Sequence, residues 1–189
     1  MVSGGDPGVF AMAAAVVEQA ADERWHDVPV RVLPGVTAAQ AVASRVGAPL
    51  GHDHAVVSLS DRLKPWDVVT ARLDALAAAD LAIAIYNPRS RARPWQLGEA
   101  LAVLLRYRDP ATPVVVGRDV GGPEESVRVV PLGALDPETV DMRCLLLVGS
   151  SRTVRTPGGQ VVTPAGTPMS RKNDSRSSRL PEDLSTDML

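Results

Sequence analysis

The chain has 189 residues, 45% of them hydrophobic and 22% charged, with 20 basic and 22 acidic side chains and a formal net charge of -2. That is enough apolar material to bury a core in one ordinary domain or two small ones, and the near balance of charge offers no sequence-wide basic field for nucleic acid and no acidic excess for a polycation. No apolar run nears the roughly 18 residues of a membrane helix and no charged-then-apolar leader is present, so a cytoplasmic chain without a membrane partner is expected. The single cysteine, Cys144, excludes an internal disulfide framework and, lying in an apolar run, reads first as core.

The first element is a turn, Ser3-Gly4-Gly5-Asp6-Pro7-Gly8, feeding a helix whose stripe is Val9, Phe10, Ala13, Val16, Val17 and Ala20. Pro29 to Leu33 reads as a short buried strand and Thr37 to Val46 as a second helix. Turn residues without periodicity at Gly47-Ala48-Pro49-Leu50-Gly51 read as a linker. The βα rhythm then restarts. His54 to Leu59 reads as a strand, Trp66 to Ala78 as a helix, Leu81 to Tyr86 as a buried strand, and Trp95 to Arg106 as a helix. Strands are expected at Pro113 to Gly117, Val127 to Pro131 and Cys144 to Val148, and a small hairpin or extended arm around Gln160 to Pro164. Two α/β lobes follow, residues 1–50 and 51–168, with a polar tail at 169–189 that cannot bury enough apolar surface to order itself. Its basic run from Arg171 to Arg179 reads as a solvated segment.

Three strand-to-helix turns carry candidate chemistry. In the first, Gly4 and Gly5 let a ligand approach the backbone, while Asp6 and Pro7 equally suit a plain helix N-cap and first turn. The pattern lacks G-x-G-x-x-G and a nearby lysine, which disfavours a pyrophosphate and favours a ligand with cationic or hydroxyl groups. The second, Leu33-Pro34-Gly35-Val36-Thr37-Ala38, balances a Thr37 cap against a ligand role for Thr37 and Ala38. The third is Tyr86-Asn87-Pro88-Arg89-Ser90-Arg91-Ala92-Arg93. Its arginines oppose the macrodipole of the following helix, which argues for an anionic partner; Arg118, after another strand, points to the same edge.

Together, Gly4-Gly5-Asp6-Pro7, Leu33-Pro34-Gly35-Val36-Thr37-Ala38, Tyr86-Asn87-Pro88-Arg89-Ser90 and Leu145-Leu146-Leu147-Val148-Gly149 resemble the tetrapyrrole (corrin/porphyrin) methyltransferases. The resemblance covers residues 2 to 166. Leu50-Gly51-His52-Asp53, Ser58-Leu59-Ser60-Asp61, Tyr86-Asn87-Pro88-Arg89-Ser90 and Gly149-Ser150-Ser151-Arg152 look most like the precorrin-3B C(17) branch of that family, which contracts the macrocycle.

The resemblance implies an α/β, two-lobed tetrapyrrole methylase fold whose first lobe is truncated at its N-terminus, since family members place a strand and a G-x-G-P-G loop before this segment. It implies S-adenosylmethionine as methyl donor, held by Gly4, Gly5, Asp6, Thr37, Ala38, Asn87 and Cys144, a precorrin substrate, and a homodimer. Arg89, Arg91, Arg93 and Arg118 would meet the substrate's carboxylates. His52, Asp53 and Asp61 are candidates for general acid and base, although a His-Asp pair after a linker is more often a structural hydrogen bond. The alternatives are methyl transfer to another precorrin or to uroporphyrinogen, and a non-catalytic binding subunit.

Overall fold

A computed structural model describes residues 1–166. The tail expected at 169–189, its basic run included, lies outside the described residues.

The first helix, α1 (Ala13–Ala20), starts four residues later than the apolar stripe predicts. Asp6 is therefore not its cap. Instead Asp6 closes a turn of its own, accepting Val9 N–H on its carbonyl and Gly8 N–H on its carboxylate, and the chain then passes through Phe10 with a left-handed φ of 52°. The second helix, α2 (Ala38–Ser44), has a full capping box: Thr37 Oγ1 accepts from Gln40 N and Gln40 Oε1 accepts from Thr37 N, both at 3.1 Å.

The expected strand at Pro29 to Leu33 does not form. Val30 and Leu33 are 42% and 63% exposed, and this stretch pairs with no strand among the described residues, so apolar composition alone does not make it part of a sheet. The expected linker supplies one instead. Gly47–Ala48 form β1, which runs parallel to β8 (Val161–Val162); β8 pairs antiparallel with β7 (Val154–Arg155), giving the hairpin expected near residue 160 within a three-stranded sheet.

The main sheet has five strands: β2 (His54–Ser58), β3 (Ala82–Tyr86), β4 (Pro113–Arg118), β5 (Ser126–Pro131) and β6 (Cys144–Val148). Their order is β2-β3-β6-β4-β5, with β2 and β3 parallel and every other pair antiparallel. Helices α3 (Trp66–Ala78) and α4 (Gln96–Leu105) cover one face. The period-2 alternation of β6 shows how the core is divided: Cys144, Leu146 and Val148 pack under α3 and α4, while Leu145 and Leu147 meet Ala39 and Val42 of α2 on the other face. Helix α2 lies close because Gly117 has no side chain; a Cβ there would overlap the Val42 methyls. The α3-to-β3 connection is bolted by Arg108, buried between α4 and the sheet, which donates to the carbonyls of Ala77, Leu81 and Gly149 and pairs with Asp80 at 3.0 Å.

Candidate functional site

The carboxyl ends of β2 and β3 lie side by side, with Ser58 in register with Tyr86, and the three candidate turns gather there. Tyr86 joins them. Its hydroxyl accepts the Ala39 N–H at 3.1 Å, at the start of α2, and its ring meets that of Phe10 at a centroid distance of 5.2 Å. The next residue is Asn87, held in the left-handed region at φ 50°, and its Nδ2 donates to Ser58 Oγ at 2.9 Å.

Asp6 links the first turn to the second. Its Oδ2 accepts Gly35 N–H at 3.0 Å and its Oδ1 accepts Gly8 N–H at 2.8 Å. These two bonds, Gly35 first, hold its carboxyl below the usual range. The backbones touch here: a Cβ on Gly35 would overlap the Gly5 carbonyl, and Gly5 itself has φ 72°. Gly35 is thus required by the close approach of two turns. Gly4 is exposed, with open space where a Cβ would stand, so the outer side of this junction presents bare backbone.

Thr37 is occupied as the α2 cap, with Ala38 exposed beside it. Cys144 reaches the same sheet end, opposite Arg118 in register, but its thiol points into the core under α3 and α4. There burial pushes its pKa up and it donates to Asp141 Oδ1 at 3.3 Å. The strand's alternation turns the Cys144 side chain away from the turn cluster and leaves its backbone at that end of the sheet.

The arginines do not form the expected clamp. Arg93 is only 6% exposed and its guanidinium donates to Leu59 O, Asn87 O and Met142 Sδ, so it braces the Asn87 turn from within. Arg89 is paired with Glu138 and donates to Pro94 O. Arg118 is paired with Glu124 at 2.9 Å and Asp141 at 3.0 Å, and those acids, Glu124 first, push its pKa up. Arg91 alone of the four projects outward without an ion pair among the described residues, at the tip of the Ser90-to-Arg93 turn.

Nor are the proton-transfer candidates assembled. His52 and Asp53 precede β2, whereas Asp61 follows it, and five residues of strand separate the two ends by about 16 Å. Asp61 is on the Asn87 side and accepts from Gln96 Nε2 at 2.9 Å; the buried Gln96 Oε1 has no partner among the described residues. Ser58, Phe10 and Gln96 were not singled out from sequence as site residues. The available signal was Tyr86 itself, the last residue of a buried strand and the neighbour of Asn87.

Comparison with known proteins gives this geometry a context. The profile of the family Tetrapyrrole (Corrin/Porphyrin) Methylases matches residues 1–136. The chain is 66% identical over 157 residues to cobalamin biosynthesis protein CobIJ of Mycobacterium tuberculosis, covering 81% of this chain and 30% of that protein. It is 54% identical over 156 residues to a precorrin-3B C(17)-methyltransferase of Sinorhizobium sp, covering 81% of this chain and 61% of that one. The chain thus spans between about a third and three fifths of these relatives' lengths. The crystal structure of the methyltransferase CobJ superposes with a TM-score of 0.81 at 44% identity, over 86% of this chain and 68% of that one. Uroporphyrin-III C-methyltransferase from Thermus thermophilus complexed with S-adenosyl homocysteine superposes at 0.55 with 25% identity, over 77% and 62%. Among the described residues no helix is long and apolar enough to cross a membrane. With its mixed α/β sheet, its three gathered turns and a family match over most of its length, the chain belongs to the tetrapyrrole (corrin/porphyrin) methylases.

Proposed function

We propose that this chain serves S-adenosylmethionine-dependent methyl transfer to precorrin-3B at C(17), with ring contraction, in cobalamin biosynthesis. The observation that carries the reading is the convergence of the Gly4-Gly5-Asp6, Thr37-Ala38 and Asn87 turns on one sheet edge through Tyr86. The names of the 54%-identical relative and of the CobJ structure support the methyl-transfer class and the substrate.

The residues present fit the methyl donor. Backbone at Gly4, Gly5 and Ala38 is open, no side chain fills the space beside Gly4, and Asp6 has each carboxylate oxygen engaged only once, leaving lone pairs for a ligand hydroxyl or amine. When bound, S-adenosylmethionine supplies an electrophilic methyl on a sulfonium. The chain's own residues bind and orient. Asp6 fixes the spacing of the first two turns, Tyr86 fixes the second against the third, and Arg93 holds the Asn87 carbonyl, so that donor and acceptor are aligned and not chemically activated. Asp61, at the same end of the sheet, is the candidate to hold a proton during contraction. A homodimer in the cytoplasm completes the proposal.

The test is transfer of labelled methyl from S-adenosylmethionine, offered precorrin-3B, other precorrins and uroporphyrinogen III in parallel. Label on precorrin-3B with a contracted ring is expected; label on another macrocycle, or on none, overturns the assignment. One observation favours a non-catalytic binding role instead: α1 has no buried residue and its apolar side lines an open groove with Trp25, Val28 and Val30. Self-association with donor binding but no transfer would select that reading.

A further inference from the structure

With Arg93 buried and Arg89 and Arg118 paired, Arg91 is the one open cation of the four among the described residues, and a polycarboxylate substrate needs more than one. A cleft of about 310 Å³ supplies two more along β2, the edge strand of the main sheet. Its walls are Phe10, Val56, Ser58 and Leu76, with Lys64 from the loop before α3 and Arg72 from α3. Among the described residues neither cation has an ion pair or a hydrogen-bonded side-chain partner, unlike Arg89 and Arg93 of the Asn87 turn. The cleft is continuous with the three-turn cluster through two residues: Ser58 accepts from Asn87 Nδ2 and Phe10 lies against Tyr86.

We propose that this cleft seats one edge of the tetrapyrrole, its apolar walls taking the ring and Lys64 and Arg72 pairing with acetate or propionate carboxylates. The inference rests on the function proposed above. It follows from charge complementarity: two unpartnered cations in a largely apolar cleft gain most from an anionic group that brings apolar surface with it. The volume suits a pyrrole edge and its side chains, leaving the rest of the macrocycle over the turns. Seating the edge there sets which ring carbon faces Asn87, so Lys64 and Arg72 act on specificity and orientation while the donor is held elsewhere.

The test uses the full chain and two probes. Uroporphyrin III, with eight carboxylates, is titrated by fluorescence quenching against a dicarboxylate porphyrin, and S-adenosyl homocysteine is titrated by calorimetry. The Lys64→Gln/Arg72→Gln double variant is expected to weaken uroporphyrin on the order of tenfold and flatten its salt dependence, with much less effect on the dicarboxylate and none on S-adenosyl homocysteine. The charge-retaining Lys64→Arg/Arg72→Lys variant is expected to restore uroporphyrin binding, and Arg128→Gln, on β5 at the far sheet edge, to change nothing. Equal uroporphyrin affinity in wild type and double variant, with donor binding intact, overturns the cleft while sparing the methyltransferase reading. A double variant that loses both ligands and is not rescued also overturns it. Wild-type protein that binds neither ligand overturns both.

Discussion

Residues 1–36 and residues 37–166 bring turns to the same cluster but hold them by different means. Not one residue of the first stretch is buried, whereas all five residues of β6, at the centre of the second, are. The second stretch owes its shape to apolar burial on both faces of a sheet. The first keeps its turn in place with an aspartate, a pair of backbones in contact and one tilted aromatic contact. A platform and a tether therefore share the site, and perturbations should separate them: changes in the sheet should register as global stability, changes in the tether as ligand affinity and local opening.

The largest separation is expected from Leu146→Ala. Leu146 is fully buried under α3 and α4, and its truncation should cost about 3 kcal/mol in thermal or denaturant unfolding. If hydrogen exchange in residues 1–36 slowed or accelerated in proportion, the two regions would be one cooperative unit and the comparison would break. Arg108→Met should cost about 2 kcal/mol, because the carbonyls of Ala77, Leu81 and Gly149 lose their shared donor while Asp80 keeps Ser151. Tyr86→Phe sits on the boundary. It removes the acceptor for Ala39 N–H and should cost about 1 kcal/mol while leaving the Phe10 contact, so a loss confined to unfolding free energy would place Tyr86 with the platform and a loss confined to donor affinity would place it with the tether.

Gly35→Ala should cost about 1 kcal/mol in unfolding free energy, well below Leu146→Ala, yet open residues 1–36 to proteolysis and weaken S-adenosyl homocysteine, since the added methyl pushes against the Gly5 carbonyl. The smallest effect is that of pH. The Asp6 carboxyl titrates below its ordinary 3.8, so its tie is fully present above that value and is lost as pH falls through the lowered one. Trp25 fluorescence or exchange at Gly35 N–H should report loosening only below about pH 4; loosening near neutrality would show that another group holds the turn.

The same division explains what could be seen in the sequence. Helix α3 falls at Trp66–Ala78 as the apolar spacing predicts, and β3 and β6 fall on continuous apolar runs, because elements that make the core carry its period. Pro29 to Leu33 is as apolar as a strand but pairs with no strand among the described residues, and pairing is a property of the fold and not of the segment. The turns at Asp6, Thr37 and Asn87 were legible as turns. Their mutual contact was not, because Asp6 reaches Gly35 across 29 residues and Tyr86 reaches Ala39 across 47. Arg93 misled for the same reason. Three arginines in five residues look alike, and only the positions of Leu59, Asn87 and Met142 decide that one of them faces inward. His52 and Asp53 sit nine and eight residues before Asp61, close enough in sequence to look like partners until a strand is threaded between them.

The left-handed backbone at Asn87 makes that position unusually easy to interrogate. A glycine there adopts the same φ without strain, so Asn87→Gly subtracts the carboxamide while keeping the path of the chain, and Asn87→Asp keeps both path and size while exchanging a donor for a charge. At most positions shape and chemistry are entangled. At the end of β3 the two come apart, and a single codon can be used to vary one while the other is held fixed.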